Sequence, residues 1–178
     1  MSTEHDPGDL GRVIRDGGRT GLRFVRHYPH PIARVWRAIT DSTQLRAWLP
    51  CDIVGERAQG AEIACEFWPA HVAKYSIPDP VLTGEIQVWE PPRIFQWTWG
   101  GDILRFELEP DAVSRTTLTF TTWLIETGAE GAANTAAGYH VCLTALDALL
   151  AGKPISITDS DDLVTQLEAT YAVGTPGH

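Results

Sequence analysis

Six histidines, three cysteines and 23 acidic residues are the material from which this 178-residue chain could build chemistry, and their spacing limits what they can do. His27 and His30 flank Tyr28 and Pro29 with no third donor in reach, so a metal site lacks its ligand set. His71 lies between Pro69 and Pro80, beside Lys74 and Tyr75, in a stretch that reads as a loop. Such loops serve as pocket lids or simply expose their histidines. His140 follows Tyr139, about 100° round a helix from it. At the edge of an apolar stripe it either projects a polar group into a cavity or bonds a neighbour or water. Tyr139 is either packed with its hydroxyl satisfied or an anchor for a ligand.

Cys51, Cys65 and Cys142 are odd in number and lack CxxC spacing, which argues against a disulfide framework and a zinc site. Cys65 and Cys142 are placed to meet across a core, where a buried cysteine behaves as a small hydrophobe. The acidic run Asp159 to Asp162 reads as a solvated helix start, because nothing nearby supplies spaced ligands for a cation. No motif calls for a cofactor or a metal.

The elements that must position these groups are legible from hydrophobic period. Leu22, Phe24 and Tyr28 alternate with polar neighbours, as a half-buried strand does. Pro31 opens a helix in which Ile32, Val35, Trp36 and Ile39 share one stripe, and Asp41 or Ser42 caps a second short helix carrying Leu45 and Trp48. Alternation then recurs over Ile63–Phe67, Ile86–Val88, Phe95–Trp99, Leu104–Leu108 and Leu118–Leu124, with Glu90-Pro91-Pro92-Arg93 and Gly100-Gly101 as turns. Strands joined this closely are antiparallel with one wet face. The period changes at Tyr139, Cys142, Leu143, Leu146, Leu149 and Leu150, a helix of about four turns closed by Gly152 and Pro154. Leu163, Leu167 and Tyr171 mark a last short helix begun by Asp159 or Ser160, docked on the outside.

The expected fold is α+β: a curved antiparallel sheet of six to seven strands wrapped around a long C-terminal helix, with two short helices after the first strand. Residues 1–20 are expected as a flexible arm or loosely docked strand, 21–152 as the domain, and 153–178 as a tail with a short helix over 160–171. On this reading the dry face shows Ile63, Cys65, Phe67, Ile86, Val88, Phe95, Trp97, Trp99, Leu104, Phe106, Leu118, Phe120 and Thr122. Apart from Cys65 none is an acid, base or metal ligand. Acid–base catalysis needs a titratable group within hydrogen-bond reach of the substrate, and these strands supply none, so no catalytic residue is assigned.

Composition narrows the partners. A net charge of −9 repels nucleic-acid phosphates and anionic lipid. No apolar run approaches the ~18 residues a membrane span requires. The first residues, with Glu4, His5, Asp6 and Asp9, lack a signal-peptide core, so the cytoplasm is expected. Seven tryptophans point to a thick core or to the wall of a cavity.

The order of strand, paired helices, meander and long helix resembles the START-like, helix-grip superfamily, also called SRPBCC. Within it the chain is most similar to the branch named after the activator of the heat-shock protein ninety ATPase, C-terminal-like. The resemblance rests on four stretches. PIARVWRAITDSTQLRAWL (31–49) is similar to the opening helices and GEIQVWEPPRIFQWTW (84–99) to the central hairpin. Residues 104–120 resemble the next hairpin, and GYHVCLTALDALLAG (138–152) the last helix. Asp111 to Arg115 departs from the Gly-rich turn common in the family. The resemblance implies an apolar pocket between sheet and helix and no shared catalytic motif.

The function expected is therefore binding or carriage of a small hydrophobic molecule in that cavity. Trp48, Phe67, Trp97, Trp99, Phe106 and Phe120 would supply the apolar wall, and Tyr139 and His140 the orienting polar contacts. Two alternatives stand beside it: a cyclase- or aromatase-like enzyme in the same cavity, with His140, His71 or a carboxylate in a catalytic position, and a co-chaperone that stimulates a chaperone ATPase. Exposed sheet edges leave room for a homodimer.

Overall fold

The computed structural model describes residues 9–125 and 129–174. It opens with strands β1 (Arg12–Asp16) and β2 (Arg19–Tyr28), then helices α1 (Ile32–Thr40) and α2 (Ser42–Leu45). Strands β3 (Cys51–Val54) and β4 (Glu62–Phe67) follow, then helix α3 (Pro69–Tyr75) and the meander β5 (Val81–Glu90), β6 (Ile94–Trp99), β7 (Asp102–Ala112) and β8 (Arg115–Trp123). The long helix α4 (Ala129–Leu150) leads through a 3-10 turn at Ile157–Asp159 into α5 (Asp161–Gly174).

The eight strands form one antiparallel sheet in the order β1-β2-β8-β7-β6-β5-β4-β3. Eight exceeds the six to seven expected, for two reasons. The N-terminal segment supplies a paired strand, turned back onto β2 at Gly17-Gly18, where both glycines hold positive φ. The short segment CDIV after Pro50 pairs with β4. The first eight residues of the expected arm lie outside the described residues.

Alternation places one side chain in two on the dry face, except at a bulge in β5 after Ile86, where Val88, expected inside, pairs with Gln96 and Trp89 turns inward opposite Phe95. Phe24, Phe95, Trp97, Leu104, Phe106, Leu118 and Phe120 are all buried there. The helices α1 and α4 cover that face. Trp48, just past α2, is sealed as well, its indole N–H donating to the Ala38 carbonyl at 2.8 Å. Helix α4 is 22 residues long and begins ten residues before the stripe that announced it. Its first half buries Ala132, Ala133, Ala136 and Ala137, small residues that let a helix approach a sheet closely but leave no bulky periodic signal. Helix α5 packs along α4 and buries Leu167 completely.

Candidate functional site

The inner wall of the sheet is filled. Phe95, Trp97, Phe106 and Phe120 come from three strands, β6, β7 and β8, and stack in sequence with ring centroids 4.5, 5.5 and 4.5 Å apart. Trp97 and Phe106 are nearly parallel, at 7°. Phe24 extends the row at 6.0 Å from Phe120, and Trp48 meets Phe106 edge-on at 5.8 Å. Aromatic pairs at these separations add about 0.5–1.5 kcal/mol each beyond area burial. Trp48, Trp97, Phe106 and Phe120, expected to line a cavity, are instead core. Interiors pack to crystal-like density, and rings stacked this closely leave no gap for a ligand among them.

The space lies at one end of the row. A cleft of about 400 Å³ opens where Trp99 of β6, His71 and Tyr75 of α3, and the first half of α4 face one another. Ile157 and Val164 of the C-terminal segment close a further side. Trp99 and Tyr139 were expected there and are there. Phe67 is not on the lining, but its ring backs Trp99 at 5.6 Å. The space exists because α4 presents Asn134, Thr135 and Gly138 along this stretch where its second half presents leucines. A Cβ built at Gly138 meets nothing within 4 Å.

Of the two alternatives for His71, the pocket-facing one is observed and the exposed one is not. The Pro69–Pro80 segment is not all loop. Pro69 occupies the first turn of α3, where a missing N–H costs nothing, and Ser76 ends the helix in the left-handed conformation. This turns His71 inward, where it is 7% exposed and its Nδ1 has no protein partner. Burial, reinforced by the Lys74 charge, holds its imidazole below the usual histidine range, so it is neutral at pH 7. The Tyr75 ring lies 6.0 Å away. Helix α3 is tied to the far wall by Lys74, which pairs with Asp161 at 2.9 Å and donates to the Thr158 carbonyl.

His140 faces away from the cleft and is 1% exposed. Its Nδ1 lies 2.9 Å from the Tyr171 hydroxyl, which also accepts from the Gly11 backbone N–H at 2.8 Å. The bonded-neighbour alternative is thus the one observed. A second polar group nearby was missed. Arg26, on the dry face of β2, bonds the Asp9 carbonyl at 2.9 Å and pairs with Asp147 of α4 at 3.5 Å. The Tyr28 hydroxyl donates to the same carboxylate at 2.6 Å. Burial raises the Asp147 carboxyl and, more strongly, the Tyr28 hydroxyl. The signal was present in the sequence, because Arg26 shares the parity of Leu22, Phe24 and Tyr28.

The three cysteines are free and buried. Cys65 has Cys51 of the adjacent strand as its thiol neighbour, and that contact together with burial pushes the Cys51 thiol up. Cys142 lines the cleft, its thiol pushed up to about 12 by burial, which makes it a poor nucleophile. Burial likewise raises the Tyr139 hydroxyl, keeping it neutral. Among the described residues no group of three or more His, Cys, Asp or Glu side chains is placed to hold a metal ion. No helix among them is long and apolar enough to cross a membrane.

This arrangement offers an apolar, aromatic-lined recess with neutral polar groups at its rim. The fold is shared with proteins of known structure. A conserved protein of unknown function from Enterococcus faecalis superposes with a TM-score of 0.72 at 20% identity, over 90% of this chain and 87% of that one. A protein from Bordetella parapertussis, solved by NMR, is 25% identical over 100% of this chain and 97% of its own, with a TM-score of 0.67. The crystal structure of CalU16 from Micromonospora echinospora matches at 19% identity over 92% and 93% of the two chains, with a TM-score of 0.65. No curated protein matches the sequence. The family model described as activator of Hsp90 ATPase homolog 1-like protein matches residues 29–151, from the approach to α1 to the end of α4, and the chain belongs to that helix-grip family.

Proposed function

We propose that this protein binds and carries a small hydrophobic molecule in the cleft between Trp99, α3 and the first half of α4. The observation that carries this reading is the contrast along α4: from Asn134 to Cys142 it borders an open recess of about 400 Å³, while further along Leu143, Leu146 and Leu150 are buried in the core. That volume is in the range of small-molecule sites, which are apolar with a few placed polar groups. His71, Tyr139, Asn134 and Thr135 are those groups here. Three unpaired thiols suit a reducing compartment, the cytoplasm in this reading.

The test is a tryptophan-fluorescence titration with a panel of flat apolar molecules, on the wild type and on Gly138→Trp. Gly138 faces open space, so the indole fills the cleft with the fold intact. A saturable change in the wild type, lost in the variant, is expected. A wild type that gives no saturable change with any member of the panel overturns the proposal.

One observation favours a second reading, an enzyme of the cyclase or aromatase kind. His71 lines the cleft and is neutral at pH 7, the state a general base must start from. Under that reading His71→Gln abolishes turnover of a bound ligand while leaving its affinity within a few-fold. Under the carrier reading the ligand is recovered unchanged from both proteins.

A further inference from the structure

Strand β1 forms one edge of the sheet, and its residues complement a second copy of themselves. The turn at Gly17-Gly18, with φ of 55° and 83°, is a two-residue hairpin turn of the primed kind. In such a hairpin the flanking residues, Asp16 and Arg19, exchange both backbone hydrogen bonds. The alternation that follows turns the backbone groups of Asp16, Ile14 and Arg12 toward β2. Those of Val13 and Arg15 point outward, with no strand beyond them among the described residues. We infer that two copies of this chain pair antiparallel through β1, with Ile14 opposite Ile14 of the second copy, forming a continuous sixteen-stranded sheet (twice the eight observed).

Three independent features meet in this one register. The outward backbone groups pair symmetrically, Val13 with Arg15 of the other copy and Arg15 with Val13, giving four hydrogen bonds around the twofold axis. Arg12 falls opposite Asp16 of the other copy, twice. Within one copy Arg12 stands opposite Arg23, a like-charge pair that opposes pairing, and the incoming carboxylate relieves it. The third feature lies on the outer face, where Ile103, Trp123, Gly21 and Ile14 run in register across four strands. Ile14 lies directly over Gly21, where an added Cβ would come within 3.0 Å of its Cγ1. Pairing through Ile14 joins this apolar row to its counterpart. Val13, 47% exposed and on the opposite face, is then covered by the aliphatic stem of the facing Arg15. The other edge, β3, carries Asp52 as its single charge, so self-pairing there brings no opposite charges together.

The inference is tested on the full chain by sedimentation velocity at rising concentration and by disulfide trapping. The wild type is expected to dimerise. Arg12→Asp is expected to weaken the dimer at least about tenfold, since two attractive pairs become repulsive, and Arg12→Asp with Asp16→Arg to restore it. Under mild oxidation Ile14→Cys is expected to give a covalent dimer. Val13→Cys alone gives none, and Val13→Cys with Arg15→Cys gives one, because only the crossed pair is opposed. Circular dichroism verifies that each variant is folded. A wild type monomeric at millimolar concentration, a dimer indifferent to Arg12→Asp, cross-linking of Val13→Cys as efficient as that of Ile14→Cys, or a β1 edge that takes up an unrelated extended peptide in place of a second copy would each overturn it.

Discussion

The two halves of α4 cover the same sheet and do opposite things with it. Toward its C-terminal end, Leu143, Leu146 and Leu150 are buried in the same core cluster as the stacked rings. Along the first half, alanines approach the sheet closely on one side while Gly138 and Tyr139 border an open recess on another. Side-chain size along a single helix thus separates the part of the molecule that holds it together from the part that can admit something else.

The largest test of that division is Phe106→Ala. Phe106 contacts Trp48, Trp97 and Phe120 in the filled half, and its truncation should cost about 3–5 kcal/mol in denaturant unfolding, with little collapse of the cavity. A loss below about 1 kcal/mol would show that the filled half is as plastic as the recess. Next is Tyr28→Phe, which strips the half-exposed Asp147 carboxylate of its short hydrogen bond. About 1–2 kcal/mol should be lost without any change in ligand binding. Gly138→Ala should act in the other direction. Inside a helix and free of clashes, it should raise stability by about 0.5–1 kcal/mol, read as a shift in urea midpoint at unchanged m-value.

The smallest effect concerns pH. His71 has a folded-state pKa below its unfolded value of about 6.5, so between those two values the unfolded chain binds the extra proton. Stability is therefore lost as pH falls below about 6.5, and His71→Gln should flatten that part of the profile. Unfolding midpoints at pH 7 and pH 5 for both proteins measure the difference. Parallel profiles would mean that His71 titrates as an exposed histidine and that α3 does not seal it.

How much of this was legible in the sequence follows the same division. Period-two alternation marks strands wherever one face is dry, so β4, β6 to β8 and most of β2 could be read directly, whereas in β5 a bulge after Ile86 breaks the period and hides the inward turn of Trp89. The second half of α4 could be read because leucines recur at helical spacing. Its first half could not, because alanine and glycine bury without announcing a face. Strand β3 is only four residues long, too short for a period to establish itself. The recess was placed too deep. Its position depends on which inward rings touch one another across strands, and that is a property of register. Which alternative holds for His71 could not be read, because an apparent loop bounded by prolines starts with a helix. Arg26 could have been found from parity alone, had charge not been taken as a sign of the wet face.

Tyr171 gives the polar contacts behind α4 a consequence of their own. One hydroxyl joins the backbone before β1 to an imidazole on α4, and it is presented by the helix that follows α4. Segments 160 residues apart in the chain therefore share a single fastening. In a deuterium-labelling time course their amides should open as one unit, and Tyr171→Phe should speed labelling at Gly11 and along α5 together, leaving the central strands as slow as before.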